Sequence, residues 1–295
     1  MQMDALARFA EALVARPVAV APLVEGFYAR LYLASAADGP VCVLKVFKQR
    51  GHRQTEIDAL ARLGACSVAA LPRVIGQGSV ETHEVLAISW LPGINPDQLT
   101  EPTARIRFNA DATAALAHWH GQSAAYFEDV DGARYATFTD AYAAFVAARL
   151  AWLAAHPEKT AAWLPAAVAQ AWRRARPLLD TLADDAPSLI HDDPHPGNFL
   201  ADAQTGALTA VLDPGRSRFS HRELDVFHLA DGGPQLGLYD AYLARYPLHA
   251  GYATRRLLFS LLDDVWHIER ADWFDEAWMQ RKLGALDVAL TAAGR

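Results

Sequence analysis

The densest run of chemically versatile side chains in this chain of 295 residues is His191-Asp192-Asp193-Pro194-His195-Pro196-Gly197-Asn198-Phe199-Leu200. Two carboxylates, two imidazoles and an amide fall within eight residues, between apolar stretches that read as strands. Strand ends present loop residues to clefts, so polar groups crowded there point to site chemistry. Asp213 follows a second apolar run, Ala210-Val211-Leu212, fifteen residues beyond Asn198. A carboxylate at a strand terminus is placed to hold a divalent cation. His191 and His195 have a spacing that suits a helical zinc pair, which would indicate a metal-dependent hydrolase. Pro194 and Pro196 oppose a regular helix there, which favours histidines that brace the loop by hydrogen bonds. Lys45 lies in the apolar strand Val41-Cys42-Val43-Leu44-Lys45-Val46-Phe47, on the face opposite Leu44 and Val46. Only four of the 27 basic residues are lysines, so a lysine kept inside an apolar strand is informative.

The elements that must position these groups fall into two halves. In the first, Leu6, Phe9, Ala10 and Leu13 have the spacing of an amphipathic helix that Pro17 closes. Strands are expected at Val18–Val24, Phe27–Ala34 and Val41–Phe47, the last two joined by a hairpin at Asp38-Gly39-Pro40. A helix follows at Gln54–Leu63, then a strand pair at Pro72–Gly78 and His83–Trp90. Leu91-Pro92-Gly93 breaks the pattern and marks a linker. The second half is mainly helical, with helices expected at 105–122, 141–155, 161–182, 224–230, 236–245, 254–270 and 273–292. Short strands at Ser188–Ile190 and Leu208–Leu212 flank the polar loop. The expected organisation is a β-rich lobe at 1–91 joined by a short hinge to a larger α-helical lobe at 92–295.

Composition narrows the class. The chain is 52% hydrophobic and carries 27 basic against 34 acidic side chains, a net charge of −7. Such a chain has ample apolar material for a globular core. Its acidic balance argues against nucleic acid as a partner. No apolar run approaches the ~18 residues that span a bilayer, so no membrane role is expected. The beginning Met1-Gln2-Met3-Asp4 lacks a basic stretch followed by an apolar one. Cys42 and Cys66 lie in apolar surroundings and read as buried thiols, and a cytoplasmic location follows.

The loop and the strand ending in Asp213 resemble the aminoglycoside phosphotransferase/choline kinase superfamily, whose loop reads H-G-D-x-H-x-G-N before a strand that ends in Asp. Asp193 and Asn198 also have the five-residue spacing of the protein-kinase base and its Asn. The resemblance implies an α+β, two-lobed protein-kinase-like fold and transfer of a phosphoryl group from ATP with Mg²⁺. It implies that Asp193 orients or deprotonates the acceptor hydroxyl and that Asn198 and Asp213 hold Mg²⁺. It further implies that Lys45 contacts ATP phosphates, that Glu56 steadies Lys45, and that Ser89, Trp90 and Leu91 offer backbone groups to adenine. A narrower likeness, to fructosamine (ketosamine) kinases, rests on Asp213-Pro214-Gly215 and on Phe219-Ser220-His221-Arg222-Glu223-Leu224-Asp225. It is joined by Leu116-Ala117-His118-Trp119-His120 and Tyr239-Asp240-Ala241-Tyr242.

This likeness implies a small-molecule acceptor with an amine and a sugar-like body. A ketosamine is the first expectation and an aminoglycoside or amino alcohol the second. A nucleotide-binding pseudokinase is the alternative of another class. Asp263, Asp264 and His267 lie on a late helix that borders the acceptor site in relatives, and Arg222 is a further candidate for substrate contact. Asp225 reads as a helix N-terminal carboxylate that supports the loop. Asp192 stands where the superfamily has Gly, at a position that Asp tolerates better than most residues. Gly215 stands where the narrower family has Ala.

Overall fold

The computed structural model describes residues 3–294. They form two compact units: the chain up to Phe108 together with Gly197–Arg216, and Asn109–Pro196 together with Ser217 onward. The first unit thus includes a segment from the second half of the chain, whereas the sequence suggested one boundary near residue 91. The segment joins that unit because its two short strands form a hairpin that bonds to earlier residues. Ala201 and Ile94 exchange backbone hydrogen bonds of 2.9 Å, and Val211 N–H donates to the Ala70 carbonyl at 2.9 Å. No local composition signal announces such a long-range pairing.

The first unit is built on an antiparallel sheet of β1 (Ala19–Glu25), β2 (Ala29–Ala36), β3 (Gly39–Phe47), β4 (Val74–Val80) and β5 (His83–Ser89), in the order β1-β2-β3-β5-β4. β3 and β5 lie inside the sheet and are apolar along most of their length because both faces are covered. On one face Cys42, Leu44, Val46, Val85 and Ala87 pack with Leu6 and Ala10 of α1 (Met3–Val14). On the other, Val43, Phe47, Leu86 and Ile88 pack with Leu60 of α2 (His52–Gly64). Strand alternation puts Lys45 on this second face, where it pairs in register with Leu31 and Leu86. Cys42 and Cys66 are both free thiols; Cys42 is buried, and Cys66 only half-buried.

The helix α3 (Pro102–His120) starts in the first unit and ends in the second. Beside its start lies the turn of the hairpin Phe199–Ala201/Leu208–Val211. Asp202 shapes this turn by accepting the N–H groups of Gln204 and Thr205. Gly206 has φ +71°, and a Cβ there would lie 2.1 Å from the Ala104 carbonyl oxygen. Only glycine satisfies both the left-handed angle and the close approach.

The second unit is mostly helical: α4 (Phe138–Ala155), α5 (Leu164–Ala175), α6 (Glu223–Asp231), α7 (Leu238–Arg245), α8 (Tyr252–Ala271) and α9 (Glu276–Ala292). The single helix expected over 161–182 is instead α5 followed by a 3₁₀ segment at Arg176–Leu182, since Pro177 cannot continue an α-helical ladder. Its core joins Phe138, Val146 and Leu153 of α4 to Leu258, Leu261 and Leu262 of α8 and Leu286 of α9. Arg255 of α8 and Glu223 of α6 form a wholly buried ion pair, with Nη2–Oε1 at 2.5 Å and Nε–Oε2 at 2.7 Å. Ser188–Ile190 pairs with Arg218–Ser220, a three-residue strand too short for a periodicity signal. Among the described residues, no helix is long and apolar enough to cross a membrane.

Gly206→Ala is expected to cost about 2 kcal/mol or more, from left-handed strain and the Ala104 clash together. Urea unfolding of the variant checks this; an unchanged midpoint would show that the turn yields freely.

Candidate active site

In the first unit the site begins at Lys45. The side chains of Lys45 and Glu56 are only 5% and 7% exposed, and Lys45 Nζ lies 2.7 Å from Glu56 Oε2. The same ammonium lies 2.5 Å from Oδ1 of Asp213, whose side chain is 53% exposed. Burial alone would pull the ammonium towards neutrality. The adjacent Asp213 and Glu56 carboxylates more than reverse that, so Lys45 is held above its ordinary value and stays charged. Glu56 is pushed upward, chiefly by burial, against the pull of Lys45.

The hairpin brings Asn198 and Asp213 to the same end. Phe199 pairs with Val211, and Leu212 N–H donates to the Asn198 carbonyl at 2.7 Å. Asn198 is buried, and Asp213 follows with a left-handed φ of +49°. Of the stretch expected to meet adenine, Ser89 and Trp90 already use their N–H groups within the unit. Ser89 donates to the Arg73 carbonyl at 2.8 Å and Trp90 to that of Val41 at 3.3 Å. Those two N–H groups are therefore already engaged.

In the second unit Asp193 is presented on a loop held from beneath by one carboxylate. Asp225, wholly buried in the first turn of α6, accepts the backbone N–H of His191 at 2.9 Å and of Asp192 at 2.7 Å. It also contacts His120 Nε2 at 2.9 Å, and Nδ1 of that ring meets the Tyr242 hydroxyl at 2.7 Å. Burial would raise the Asp225 carboxyl, but hydrogen bonding and charge from His120, with help from His191, hold it below the usual range. His191 is buried, and its Nδ1 accepts the Asp193 N–H at 3.3 Å, a bracing role. Asp193 itself is 39% exposed, with His228 Nδ1 3.7 Å and His195 Nε2 3.9 Å from its oxygens. Burial pushes His228 down to about 3, so this imidazole faces Asp193 as a neutral ring.

Asp192 adopts the left-handed angle expected of the glycine it replaces, with φ +73°. Its carboxylate lies 2.5 Å from Arg218 Nη1, with both side chains under one-tenth exposed. The extra charge in the loop is thus neutralised locally. Sequence reasoning missed Arg218, which opens the short strand Arg218–Ser220 that no strand expectation covered.

The segment His221-Arg222-Glu223-Leu224-Asp225 is a scaffold. His221 Nε2 lies 2.8 Å from Asp185, whose carboxyl is drawn down to about 2, chiefly by that hydrogen bond. Arg222 donates to the Pro247 carbonyl at 2.9 Å rather than entering a cleft. Asp263 and Asp264 diverge. Asp264 turns to Lys282, 2.5 Å away, and accepts the Trp278 indole N–H at 2.8 Å. Asp263 instead lines a narrow cleft, with Asp192, Arg218 and His228 on its wall. His267 does not line the cleft; its Nδ1 lies 2.9 Å from the Asp263 carbonyl oxygen and 3.4 Å from its carboxylate.

Residues 19–258 match the model of the phosphotransferase enzyme family, APH. No curated protein sequence matches the chain significantly. Among solved structures, a candidate fructosamine-3-kinase of Thermobifida fusca is 24% identical with a TM-score of 0.68, over 98% of this chain and 100% of that one. The GDP complex of aminoglycoside 2′-phosphotransferase-IIIa is 17% identical with a TM-score of 0.66, over 99% and 100%. An apoenzyme of macrolide 2′-phosphotransferase from Brachybacterium faecium is 18% identical with a TM-score of 0.62, over 96% and 98%. The chain shares their fold, an α+β architecture with a β-rich unit and a helical one.

Arg218→Ala leaves Asp192 buried without its guanidinium and is expected to destabilise the protein by about 3 kcal/mol. Adding Asp192→Gly, which also suits the left-handed angle, should restore most of that loss. A denaturation double-mutant cycle with no recovery would show that the pair does not carry the effect.

Proposed function

The chain belongs to the phosphotransferase enzyme family, and we propose that it is an ATP- and Mg²⁺-dependent small-molecule kinase. Its acceptor is a hydroxyl of a sugar-like, amine-bearing molecule, a ketosamine of the fructosamine type. The observation that carries the reading is the buried ammonium of Lys45 between Glu56 and the half-exposed Asp213. Phosphoryl transfer needs little covalent help; it needs charge placed on phosphate oxygens and an oriented nucleophile. Lys45 supplies one fixed positive charge for the triphosphate, and Glu56 keeps its side chain from wandering.

Asn198 and Asp213 are hard oxygen donors at neighbouring ends of one hairpin, a set that suits Mg²⁺. When bound there, the cation supplies positive charge to the phosphate oxygens. Asp193 accepts the hydrogen of the acceptor hydroxyl as its oxygen bonds to the γ-phosphorus and the bond to ADP breaks. The rigid backbone contacts from Asp225 hold Asp193 for that task. The neutral His228 leaves the Asp193 carboxylate without a competing cationic imidazole on that side.

Asp193→Asn is expected to lower kcat by about 10³-fold while nucleotide affinity stays near that of the parent. The measurement is ATP consumption across a panel of ketosamines, aminoglycosides and amino alcohols, with nucleotide binding followed separately. An unaltered rate in the folded variant removes Asp193 from the reaction. A parent protein that binds ATP but turns over none of the panel points to a nucleotide-binding module.

A further inference from the structure

Thr209 is the odd residue of the hairpin that leads to Asn198 and Asp213. Across the two strands Leu208 faces Ala201 and Ala210 faces Leu200, so Thr209 is an extra residue with no opposite number. A bulge interrupts the ladder and re-aims the side chain it carries. In a strand as short as Leu208–Val211 that interruption takes a large share of the pairing. Here the re-aimed Thr209 hydroxyl donates to the Pro92 carbonyl at 2.9 Å.

The linker that receives this bond is shaped for close contact. Gly93 has φ +145°, and a Cβ there would lie 2.5 Å from Thr209 Oγ1 and 2.7 Å from Leu200 Cβ. The missing side chain lets the linker backbone lie directly on the hairpin. One residue on, Ile94 and Ala201 each donate their N–H to the other's carbonyl at 2.9 Å. Pro92, Gly93 and Ile94 are thus clasped in succession onto Thr209, Leu200 and Ala201. The linker follows directly on Ser89, Trp90 and Leu91, the stretch expected beside adenine. The hairpin strands lead away from the clasp to Asn198 and Asp213, where Val211 N–H holds the Ala70 carbonyl and Asp213 meets Lys45.

We propose that Thr209 and Gly93 are positioning residues: their clasp fixes the two oxygen donors of the hairpin at one spacing from the linker beside the nucleotide base. The proposal rests on the kinase reading for calling Asn198 and Asp213 cation ligands and for placing a base at the linker. Without the clasp the hairpin stays tied through Val211 and Asp213, so the fold persists while the spacing loosens.

Amide hydrogen exchange of the intact protein, without nucleotide or metal, tests the clasp alone. The reporter is the Leu212 N–H, which donates to the Asn198 carbonyl and lies outside the clasp. Thr209→Val, close in shape but without the hydroxyl, is expected to speed its exchange by about threefold, the effect of one lost hydrogen bond. Gly93→Ala adds backbone strain and should speed it by at least about tenfold. Thr209→Ser keeps the hydroxyl and should exchange as the parent does. An unchanged Leu212 rate in Thr209→Val, with or without a folded Gly93→Ala protein for comparison, overturns the clasp.

Mn²⁺ in place of Mg²⁺ tests the positioning, its binding to the ADP-saturated protein followed by electron paramagnetic resonance. Thr209→Val is expected to weaken Mn²⁺ by about threefold, and Thr209→Ser to leave it unchanged. A lowered unfolding midpoint with parental Mn²⁺ affinity in Thr209→Val makes the contact purely structural and overturns the positioning role. A parent protein that binds no Mn²⁺ beside ADP counts against the kinase reading instead, and the exchange rates still decide the clasp.

Discussion

An ammonium removed from water is costly unless negative charge is waiting for it, and Lys45 is nearly as buried as the leucine beside it. The sheet, α2 and the hairpin of the first unit all bear on that one problem. β3 places Lys45 on the face that α2 covers, and α2 brings Glu56 to 2.7 Å. The hairpin, tied to Ile94 and Ala70, brings Asp213 to the same nitrogen. With two carboxylates against one ammonium, the cluster keeps a surplus of negative charge, and the exposed member is Asp213. In the proposed reading, that surplus suits the cluster to a further cation.

A second carboxylate organises the other unit without touching chemistry. Asp225 is wholly buried, yet its oxygens meet two loop N–H groups and an imidazole. Hydrogen bonds of this kind replace the water that a buried carboxylate gives up, and they fix the loop backbone in the same act. Glu223, two residues earlier, anchors α6 through Arg255. One short helix thus ties the loop bearing Asp193 to the hydrophobic core, and the polar density of its first turn reflects support. Asp192 fits this picture, because Arg218 neutralises the charge that came with replacing glycine.

The elements around Lys45 were largely legible in the chain. Alternation in Val41–Phe47 placed the lysine opposite Leu44 and Val46, and the helix carrying Glu56, expected at Gln54–Leu63, lies at His52–Gly64. The single helix expected over 161–182 failed at Pro177, where a pattern of apolar residues continued through a residue that cannot extend the ladder. The strands Phe199–Ala201 and Arg218–Ser220 escaped notice because each is defined by its pairing with another strand rather than by a pattern of its own. The acidic pair Asp263-Asp264 read as one feature, yet adjacent helical residues point about 100° apart. Asp263 meets the cleft, while Asp264 meets Lys282.

By itself the sequence determined which groups could do chemistry and roughly which elements carry them. Residue type and short-range period are properties of neighbouring positions. Tertiary structure alone decided that Asp213 shares an ammonium with Glu56, that Arg218 answers Asp192, and that Arg255 is buried against Glu223. Each of those depends on contacts between residues far apart in the chain, chosen by burial and charge balance, which no local pattern encodes.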